Sequence, residues 1–202
     1  WINYFRVFAH TSCSSVRPHK TFQCGTGPSS NSLPQRDVKS WKPKIGSAGV
    51  SAGAALADVT FAQRCVSHGW SGMEFLIGIP GTIGGAVATN AGAHGGETSE
   101  FLRSIRWMDL EGILHQDSCD AFEFAYRFSK LDAKQGRIVV SAYFELHEKD
   151  PQQVKHALLE CQRFRMEKQP YNQPSCGSVF KNPPNDYAAR LIELSKLKGK
   201  IH

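Results

Sequence analysis

The sequence predicts an α+β domain, because helical and strand patterns are mixed without the regular βαβ rhythm of a parallel sheet. Residues 137–147 alternate between two sets of side chains, with Ile138, Val140, Ala142, Phe144 and Leu146 on one side, which indicates a strand. Residues 150–170 carry apolar side chains at helical spacing and indicate a long helix, and no internal repeat is present. These observations together define the predicted class.

The helices are bounded by recognisable start and stop signals. Residues 55–69 predict a helix that ends at Gly69. Its expected buried face is Leu56, Val59, Ala62 and Val66. In the long helix, Asp150 can act as the cap, Pro151 suits the first turn and Pro170 ends it. The expected face of that helix is Val154, Leu158, Cys161 and Phe164 or Arg165. Residues 187–199 predict a last short helix that stops at Gly199.

Ordered structure is expected to begin near Val50, since residues 1–45 show no sustained period and are rich in residues that break helices and strands. Residues 103–110 and 113–116 predict a pair of strands joined by a turn at Glu111 and Gly112. These elements place the expected folded part between about residue 46 and the last helix.

The composition is that of an ordinary globular protein, with 202 residues, 41% hydrophobic and 21% charged. No apolar run approaches the ~18 residues that a membrane span requires. The six cysteines are scattered and form no C-x-x-C pair. We therefore expect no zinc or other metal site, no disulfide framework and a reducing, cytoplasmic compartment.

The net charge of +6 is concentrated at the start of the sequence. Residues 1–48 contain seven Lys/Arg and a single acid, Asp37, whereas the remaining residues are balanced in charge. Such a basic segment can be a nucleic-acid-binding arm, an organelle transit sequence or a poorly ordered terminus, and the last interpretation is favoured because a charge run alone is a weak motif.

The most unusual segment is residues 78–97, GIPGTIGGAVATNAGAHGGE, which holds seven of the 18 glycines. It matches neither the phosphate-binding loop that ends in Gly-Lys-Ser/Thr nor the G-x-G-x-x-G dinucleotide fingerprint. Tight turns of consecutive N–H groups can nevertheless hold an anion. A diphosphate could approach the main chain at Gly84 and Gly85, and a tightly packed Gly/Ala loop is the equally weighted alternative.

Four segments in the same order resemble the UDP-N-acetylenolpyruvoylglucosamine reductase (MurB) family. They are SGMEFLIGIPGTIGGAVATNAGAHGGE (71–97), FEFAYRFSKL (122–131), RMEKQPYNQPSCGSVFKNPP (165–184) and AARLIELSKLKGK (188–200). The resemblance covers roughly residues 46–200. It implies an FAD-binding fold of the vanillyl-alcohol oxidase/PCMH type, followed by the start of a MurB-type C-terminal substrate domain.

The resemblance also implies a function. A family member takes hydride from NADPH onto FAD and reduces UDP-N-acetylglucosamine enolpyruvate to UDP-N-acetylmuramate, a peptidoglycan precursor. We therefore expect residues 1–45 to be an atypical head, 46–172 the FAD-binding domain and 173–202 the start of the substrate domain. The expected partner is a nucleotide sugar, with no membrane or nucleic acid, and the expected state is a monomer.

Particular residues inherit roles from the same resemblance. Arg127 is expected to stabilise negative charge that develops on the substrate, and Ser178 to donate the final proton. Tyr126, Lys181 and Asn182 are expected to bind substrate, with Lys168 a weaker candidate. The expected flavin contacts are Gly78, Ile79, Pro80, Gly81, Thr82, Gly84, Gly85, Asn90 and Gly92. Without the resemblance, Arg127 would be interpreted as a surface arginine and Tyr126 equally well as a core aromatic.

Two departures from the family pattern are visible. The segment CGTGPSSNSLPQRD (24–37) breaks the spacing of the family's other flavin loop, and the sequence reaches no glutamate that corresponds to the family's third catalytic group. We therefore expect a fragment or degraded copy that binds FAD weakly and does not turn over alone. The alternatives are another FAD-dependent oxidoreductase of the same fold and a non-catalytic protein that binds nucleic acid through its basic N-terminal segment.

Overall fold

The structure of the chain is a computed structural model, which describes residues 21–22, 45–131, 136–168 and 180–199. The chain divides into two compact units, Trp1–Glu167 and Lys168–His202. The helices are α1 (Asp58–Ser67), α2 (Ile83–Thr89), α3 (Thr98–Phe101), α4 (Pro151–Lys168) and α5 (Ala188–Leu194). The strands are β1 (Thr21–Phe22), β2 (Ser47–Gly53), β3 (Trp70–Ser71), β4 (Gly92–Ala93), β5 (Gly96–Glu97), β6 (Leu102–Met108), β7 (Leu114–Ser118), β8 (Phe124–Ala125), β9 (Phe128–Ser129) and β10 (Ile138–Glu148).

The main sheet of the described residues has the order β1-β2-β10-β6-β7, with β3 also paired to β10. The β1–β2 pair is parallel, and the pairs between β10 and its neighbours are antiparallel. Two small hairpins, β4–β5 and β8–β9, lie outside this sheet. The predicted α+β class is therefore confirmed.

The central strand β10 confirms the strand predicted from the alternating pattern. Ala142, Phe144 and Leu146 are buried in the core. Ile138 and Val140, which belong to the same set of the alternation, are exposed. The pairing of β10 with β2 begins only at Ser141, so the first residues of β10 lie beyond the part of the sheet that the core covers.

Helix α1 confirms the predicted stop but corrects the predicted face. The buried residues of α1 are Asp58, Phe61, Ala62 and Cys65, and Val59 is exposed. The Phe61 ring packs against Phe144 with 5.4 Å between ring centroids. Burial of a side chain of this size contributes about 1.5–3 kcal/mol, so Phe61 rather than the smaller Val59 sets which way the helix faces.

The stop at Gly69 has a specific physical cause. Gly69 has φ +69°, and a Cβ atom there would lie 2.5 Å from the Lys149 carbonyl oxygen. Both the left-handed backbone and the close approach exclude a larger residue.

No helix among the described residues is long and apolar enough to cross a bilayer.

The remaining predicted elements are found with shifted ends. Strands β6 and β7 form the expected hairpin. Helix α4 buries Val154 and Leu158, but Phe164 of the expected face is exposed, and Pro170 lies outside the described residues.

Helix α5, in the second unit, ends at Leu194 rather than near Gly199. Lys196 adopts a left-handed backbone with φ +54°, and the Leu197 N–H donates to the Ile192 carbonyl over 3.2 Å. This is the hydrogen bond of a Schellman-type helix end, so the helix stops before the glycine that was expected to stop it.

Candidate functional site

The glycine-rich segment folds into a short element series on one side of the core. A 3-10 turn ends at Gly78, the chain bends at Gly81, and α2 and the β4–β5 hairpin follow. Thr82 precedes α2 and pairs with Ala57 in an isolated bridge, while Ile79 packs partly buried against the core. The segment therefore consists of two exposed turns joined by one short, buried helix.

Two of the glycines are explained by packing within the protein. The Gly84 N–H donates to the Ala54 carbonyl over 2.9 Å, and a Cβ atom at Gly84 would lie 2.8 Å from the Ala54 Cβ. Gly92 is buried in β4, where a Cβ atom would lie 2.6 Å from the Gly96 carbonyl oxygen. The packing alternative thus accounts for these two positions, and their contact with a flavin remains a prediction.

The turn that precedes α2 is built differently. Pro80 and Gly81 are exposed, and the nearest atom to a Cβ placed at Gly85 is the Thr82 Oγ1 at 3.8 Å. No carbonyl of the described residues accepts from the Gly85 N–H. An open edge with an uncommitted N–H group fits an anionic ligand such as the diphosphate of FAD.

Asp58 lies beneath this turn, and the sequence analysis did not identify it. Its backbone N–H donates to the Gly81 carbonyl over 3.1 Å, its side chain is 1% exposed, and its Oδ1 has no partner among the described residues. Burial raises the pKa of this carboxyl from 3.8 to about 7. An aspartate in the first turn of a helix is usually exposed, so the sequence contained no signal for this burial.

Arg127 lies in the two-residue turn of the β8–β9 hairpin. Its backbone is left-handed, with φ +54°, and its Nη2 donates to the Gly92 carbonyl over 2.8 Å. The guanidinium carbon also lies 5.2 Å from the ring centroid of Tyr126, which is itself exposed. No carboxylate of the described residues pairs with Arg127, so its charge remains available to an anionic group.

The β8–β9 hairpin (residues 124–129), which carries Arg127 and is called the arginine hairpin below, is attached to the C-terminal end of α2. Asn90 ends that helix with φ +46°, and its Nδ2 donates to the Ala125 carbonyl over 3.1 Å. On the other strand, the Ser129 hydroxyl donates to the Ala88 carbonyl over 2.9 Å. Helix α2 therefore connects the open glycine turn at one end to the arginine hairpin at the other, about 10 Å apart at 1.5 Å per residue.

The predicted substrate residues Lys181 and Asn182 lie in the second unit. Lys181 is exposed, and the Asn182 Oδ1 accepts from the Ala188 N–H over 3.1 Å at the start of α5. Asn182 therefore has a local structural role in addition to its predicted one. Ser178 and the Lys168 side chain lie outside the described residues, and their predicted roles remain predictions.

Comparison with known proteins first gives the class. Residues 32–118 match the family model described as an FAD binding domain, which makes the fold an FAD-binding α+β fold. Residues 169–202 match the model of the UDP-N-acetylenolpyruvoylglucosamine reductase C-terminal domain. The chain belongs to the UDP-N-acetylenolpyruvoylglucosamine reductase (MurB) family.

Individual relatives agree with this assignment. The chain is 46% identical over 149 residues to the UDP-N-acetylenolpyruvoylglucosamine reductase of Lactococcus lactis, a match that covers 74% of this chain and 49% of that protein. The relative from Alkalilimnicola ehrlichii is 41% identical over 150 residues, covering 74% and 50%. The chain thus spans about half the length of the curated relatives it matches.

A solved structure shows the same fold. The crystal structure of UDP-N-acetylenolpyruvylglucosamine reductase (MurB) from Thermus caldophilus matches with a TM-score of 0.65 and 33% identity, over 74% of this chain and 55% of that one.

Proposed function

We propose that this chain carries the flavin-binding part, and the beginning of the substrate domain, of a reductase that converts UDP-N-acetylglucosamine enolpyruvate to UDP-N-acetylmuramate. The cofactors would be FAD and NADPH, and the reaction would belong to peptidoglycan precursor synthesis in the cytoplasm. The observation that carries the proposal is Arg127, which is held on Gly92 of the glycine-rich segment and pairs with no carboxylate in the part of the chain that the structure describes. The four motifs and both family matches support it.

The proposed cofactor site is the turn that precedes α2. The backbone is open at Gly85, where the nearest atom to an added Cβ lies 3.8 Å away, so main-chain N–H groups can face a diphosphate there without side chains in between. Gly81 is more crowded, because an added Cβ would lie 2.9 Å from the Asp58 Oδ2. When bound, FAD would accept hydride from NADPH and deliver it to the enolpyruvyl double bond.

Arg127 would act on the charge that this hydride delivery creates. Hydride arriving at the outer carbon leaves negative charge on the inner carbon and its carboxylate. A guanidinium stays charged and can donate two parallel hydrogen bonds to a carboxylate, so it is suited to this position. Because one of its nitrogens is already fixed on Gly92, little reorganisation is needed when the charge develops. The proton for the inner carbon would come from Ser178.

The cofactor part of the proposal can be tested by absorbance after desalting the chain with added FAD. We expect a retained, shifted flavin spectrum for the wild-type protein. Gly85→Asp would place a carboxylate on the open edge, and two unit charges about 5 Å apart at an effective dielectric constant of about 20 repel by about 3 kcal/mol. We therefore expect FAD affinity to fall at least about tenfold.

Gly85→Ser is the matched control for that variant. It adds a smaller, uncharged side chain, into space where the nearest atom lies 3.8 Å from the new Cβ. We expect it to bind FAD nearly as the wild type does. Equal FAD binding by the aspartate and serine variants would show that the diphosphate does not lie at this edge.

Because the chain alone is not expected to turn over, the reaction is tested in two half-reactions of a flavin-loaded chimera, in which a full-length relative supplies the half of its length that this chain does not match. Arg127→Ala should slow reoxidation of the reduced flavin by the enolpyruvyl substrate by about 100-fold or more, the usual cost of losing one group that stabilises developing charge. Flavin reduction by NADPH should change little. Arg106→Ala, at an exposed position of β6, controls for loss of a positive charge. An equal decrease in both half-reactions would contradict the role given to Arg127. A reduced flavin that the substrate does not reoxidise in the chimera with wild-type Arg127 would refute the proposed reaction.

A further inference from the structure

We propose that Asn90 positions Arg127 and does not contact the flavin. The sequence placed Asn90 among the flavin-binding residues, but its hydrogen bonds lead instead to the hairpin that carries the arginine. The catalytic part of this inference rests on the proposed function, since it assumes that Arg127 contacts the substrate carboxylate. The structural part of the inference, that Asn90 holds the hairpin that carries Arg127, does not depend on the proposed function.

Both the nitrogen and the oxygen of the Asn90 side chain form hydrogen bonds within the protein. The residue is 0% exposed. Its Nδ2 donates to the Glu97 Oε2 over 2.8 Å and to the Ala125 carbonyl over 3.1 Å, and its Oδ1 accepts from the Ser99 N–H over 3.0 Å. A carboxamide has two N–H donors, and both are occupied. A flavin could therefore bind this side chain only by breaking a buried hydrogen bond.

The bond from Asn90 to Ala125 and the bond from Arg127 to Gly92 together form a closed loop of contacts around Arg127. Ala125, the acceptor, is the last residue of β8 and comes two residues before Arg127 in the turn. Arg127 then donates to the carbonyl of Gly92, which follows Asn90 by two residues. The arginine hairpin is thus attached at its backbone by Asn90 and at its guanidinium by the strand that starts just after Asn90.

Arg127 requires such a constraint. A left-handed backbone with φ +54° is unfavourable for a residue with a Cβ atom, and it persists only where the surroundings hold it. The strands on either side have two residues each, too few to hold the turn by their own pairing. The Ser129 hydroxyl anchors the far strand on Ala88, so Asn90 is the anchor of the near strand.

The test uses two substitutions at buried polar side chains, of which the first removes the three hydrogen bonds of Asn90 and the second removes one hydrogen bond of Thr98. Asn90→Gly removes the amide, and glycine accepts the left-handed backbone of φ +46°, so the helix end is retained. Thr98→Val is the matched control. It removes the hydroxyl bond to the Ala91 carbonyl, of 2.7 Å, in the same buried region, while the backbone bond between the same two residues remains.

The readout is the side-chain Nε–Hε resonance of Arg127 in nitrogen-15 spectra, identified by its absence in Arg127→Ala. We expect a resolved resonance in the wild type and in Thr98→Val. In Asn90→Gly we expect it to move to the position of flexible arginines, because the guanidinium is no longer held in one orientation by the bond from its Nη2 to Gly92. An unchanged resonance in a folded Asn90→Gly protein would overturn the proposal.

Two further measurements test the proposal if Asn90→Gly does not fold. If Asn90→Gly does not fold, Asn90→Asp is combined with Glu97→Gln, which avoids two facing carboxylates. This double variant retains the acceptor for Ser99 and removes the donor to Ala125, and the same displacement of the resonance is expected. If neither variant folds, an Arg127 resonance in the wild type that is already averaged among flexible arginines contradicts the proposal.

The catalytic part is tested separately in the flavin-loaded chimera described under the proposed function. Asn90→Gly should retain the flavin spectrum and slow reoxidation by the enolpyruvyl substrate, but it should cost nothing further when Arg127 is already alanine. Loss of the flavin spectrum in Asn90→Gly alone would show direct flavin binding and refute the inference. An ordered Arg127 resonance in the wild-type chain, together with no reoxidation in the chimera, would instead refute the proposed function and leave the positioning role intact.

Discussion

Replacing Asp58 by asparagine should remove a large pH-dependent loss of stability. Asp58 is buried beneath the turn at Gly81, and its Oδ1 has no partner among the described residues. Burial disfavours the ionised form, and the difference between 3.8 and about 7 corresponds to about 4 kcal/mol. Its place in the first turn of α1 favours a negative charge by only about 0.3–1 kcal/mol, which does not offset that penalty.

The sign of the effect follows from the raised pKa. Below pH 3.8 the carboxyl is protonated in both the folded and unfolded chain, so it contributes no penalty. Between pH 3.8 and about 7 the unfolded chain ionises while the folded chain keeps its proton, so stability decreases as the pH rises. Above about pH 7 both states are ionised and the full penalty remains.

The assay is urea unfolding of the wild type and Asp58→Asn at pH 5 and pH 8. Asparagine does not titrate, so its stability relative to wild type should increase by roughly 2–3 kcal/mol from pH 5 to pH 8. Asp58→Ala should show the same change between the two pH values without introducing an amide. If the difference between wild type and both variants is the same at pH 5 and pH 8, the carboxyl is solvated or paired and the reasoning fails.

Two further predictions concern packing and a buried ion pair. Gly84→Ala should destabilise the chain by about 1–3 kcal/mol in thermal or urea unfolding, because its Cβ would lie 2.8 Å from the Ala54 Cβ, and a more stable variant would contradict that close approach. Glu145→Ala should lower the free energy of unfolding in urea by about 2–3 kcal/mol, since it removes the carboxylate that lies 2.8 Å from the partly buried Arg103. Glu123→Ala, which breaks the exposed pair with Lys130, should lower it by under about 1 kcal/mol. Equal losses in the two variants would refute the distinction between the two pairs.

The sequence predicted those elements whose pattern is local. The alternation along β10 and the helical spacing of α4 depend only on neighbouring residues, so both elements were found with ends within a few residues. The face of α1 was wrong because it depends on Phe144, which is distant in the sequence and attracts Phe61 more strongly than Val59. Exposure of Ile138 depends similarly on where β2 begins to pair.

The candidate site was predicted only in outline. The motif placed Arg127 and the glycine-rich segment in one site, and the structure brings them together through the bond to Gly92. It could not distinguish glycines that pack from glycines that are open, because Gly84 and Gly85 are adjacent and differ only in what faces them. The burial of Asp58 was equally invisible, since it is caused by the turn at Gly81 folding over the start of α1.

The hydrogen bonds around α2 explain why so many small residues are concentrated in this segment. Gly84 lets the helix lie against Ala54, and Gly92 lets the following hairpin close on itself, so α2 is fixed at both ends by backbone contacts. Arg127 and the open edge at Gly85 are then held on the same short helix, each at one end. A group that is already ordered loses less conformational freedom when a ligand binds. The unfavourable left-handed backbone of Arg127 is therefore stabilised by hydrogen bonds within the protein and does not have to be stabilised by the ligand. Substitutions that loosen α2 should consequently weaken cofactor binding and displace the arginine together, whereas a change confined to Asn90 should displace the arginine alone.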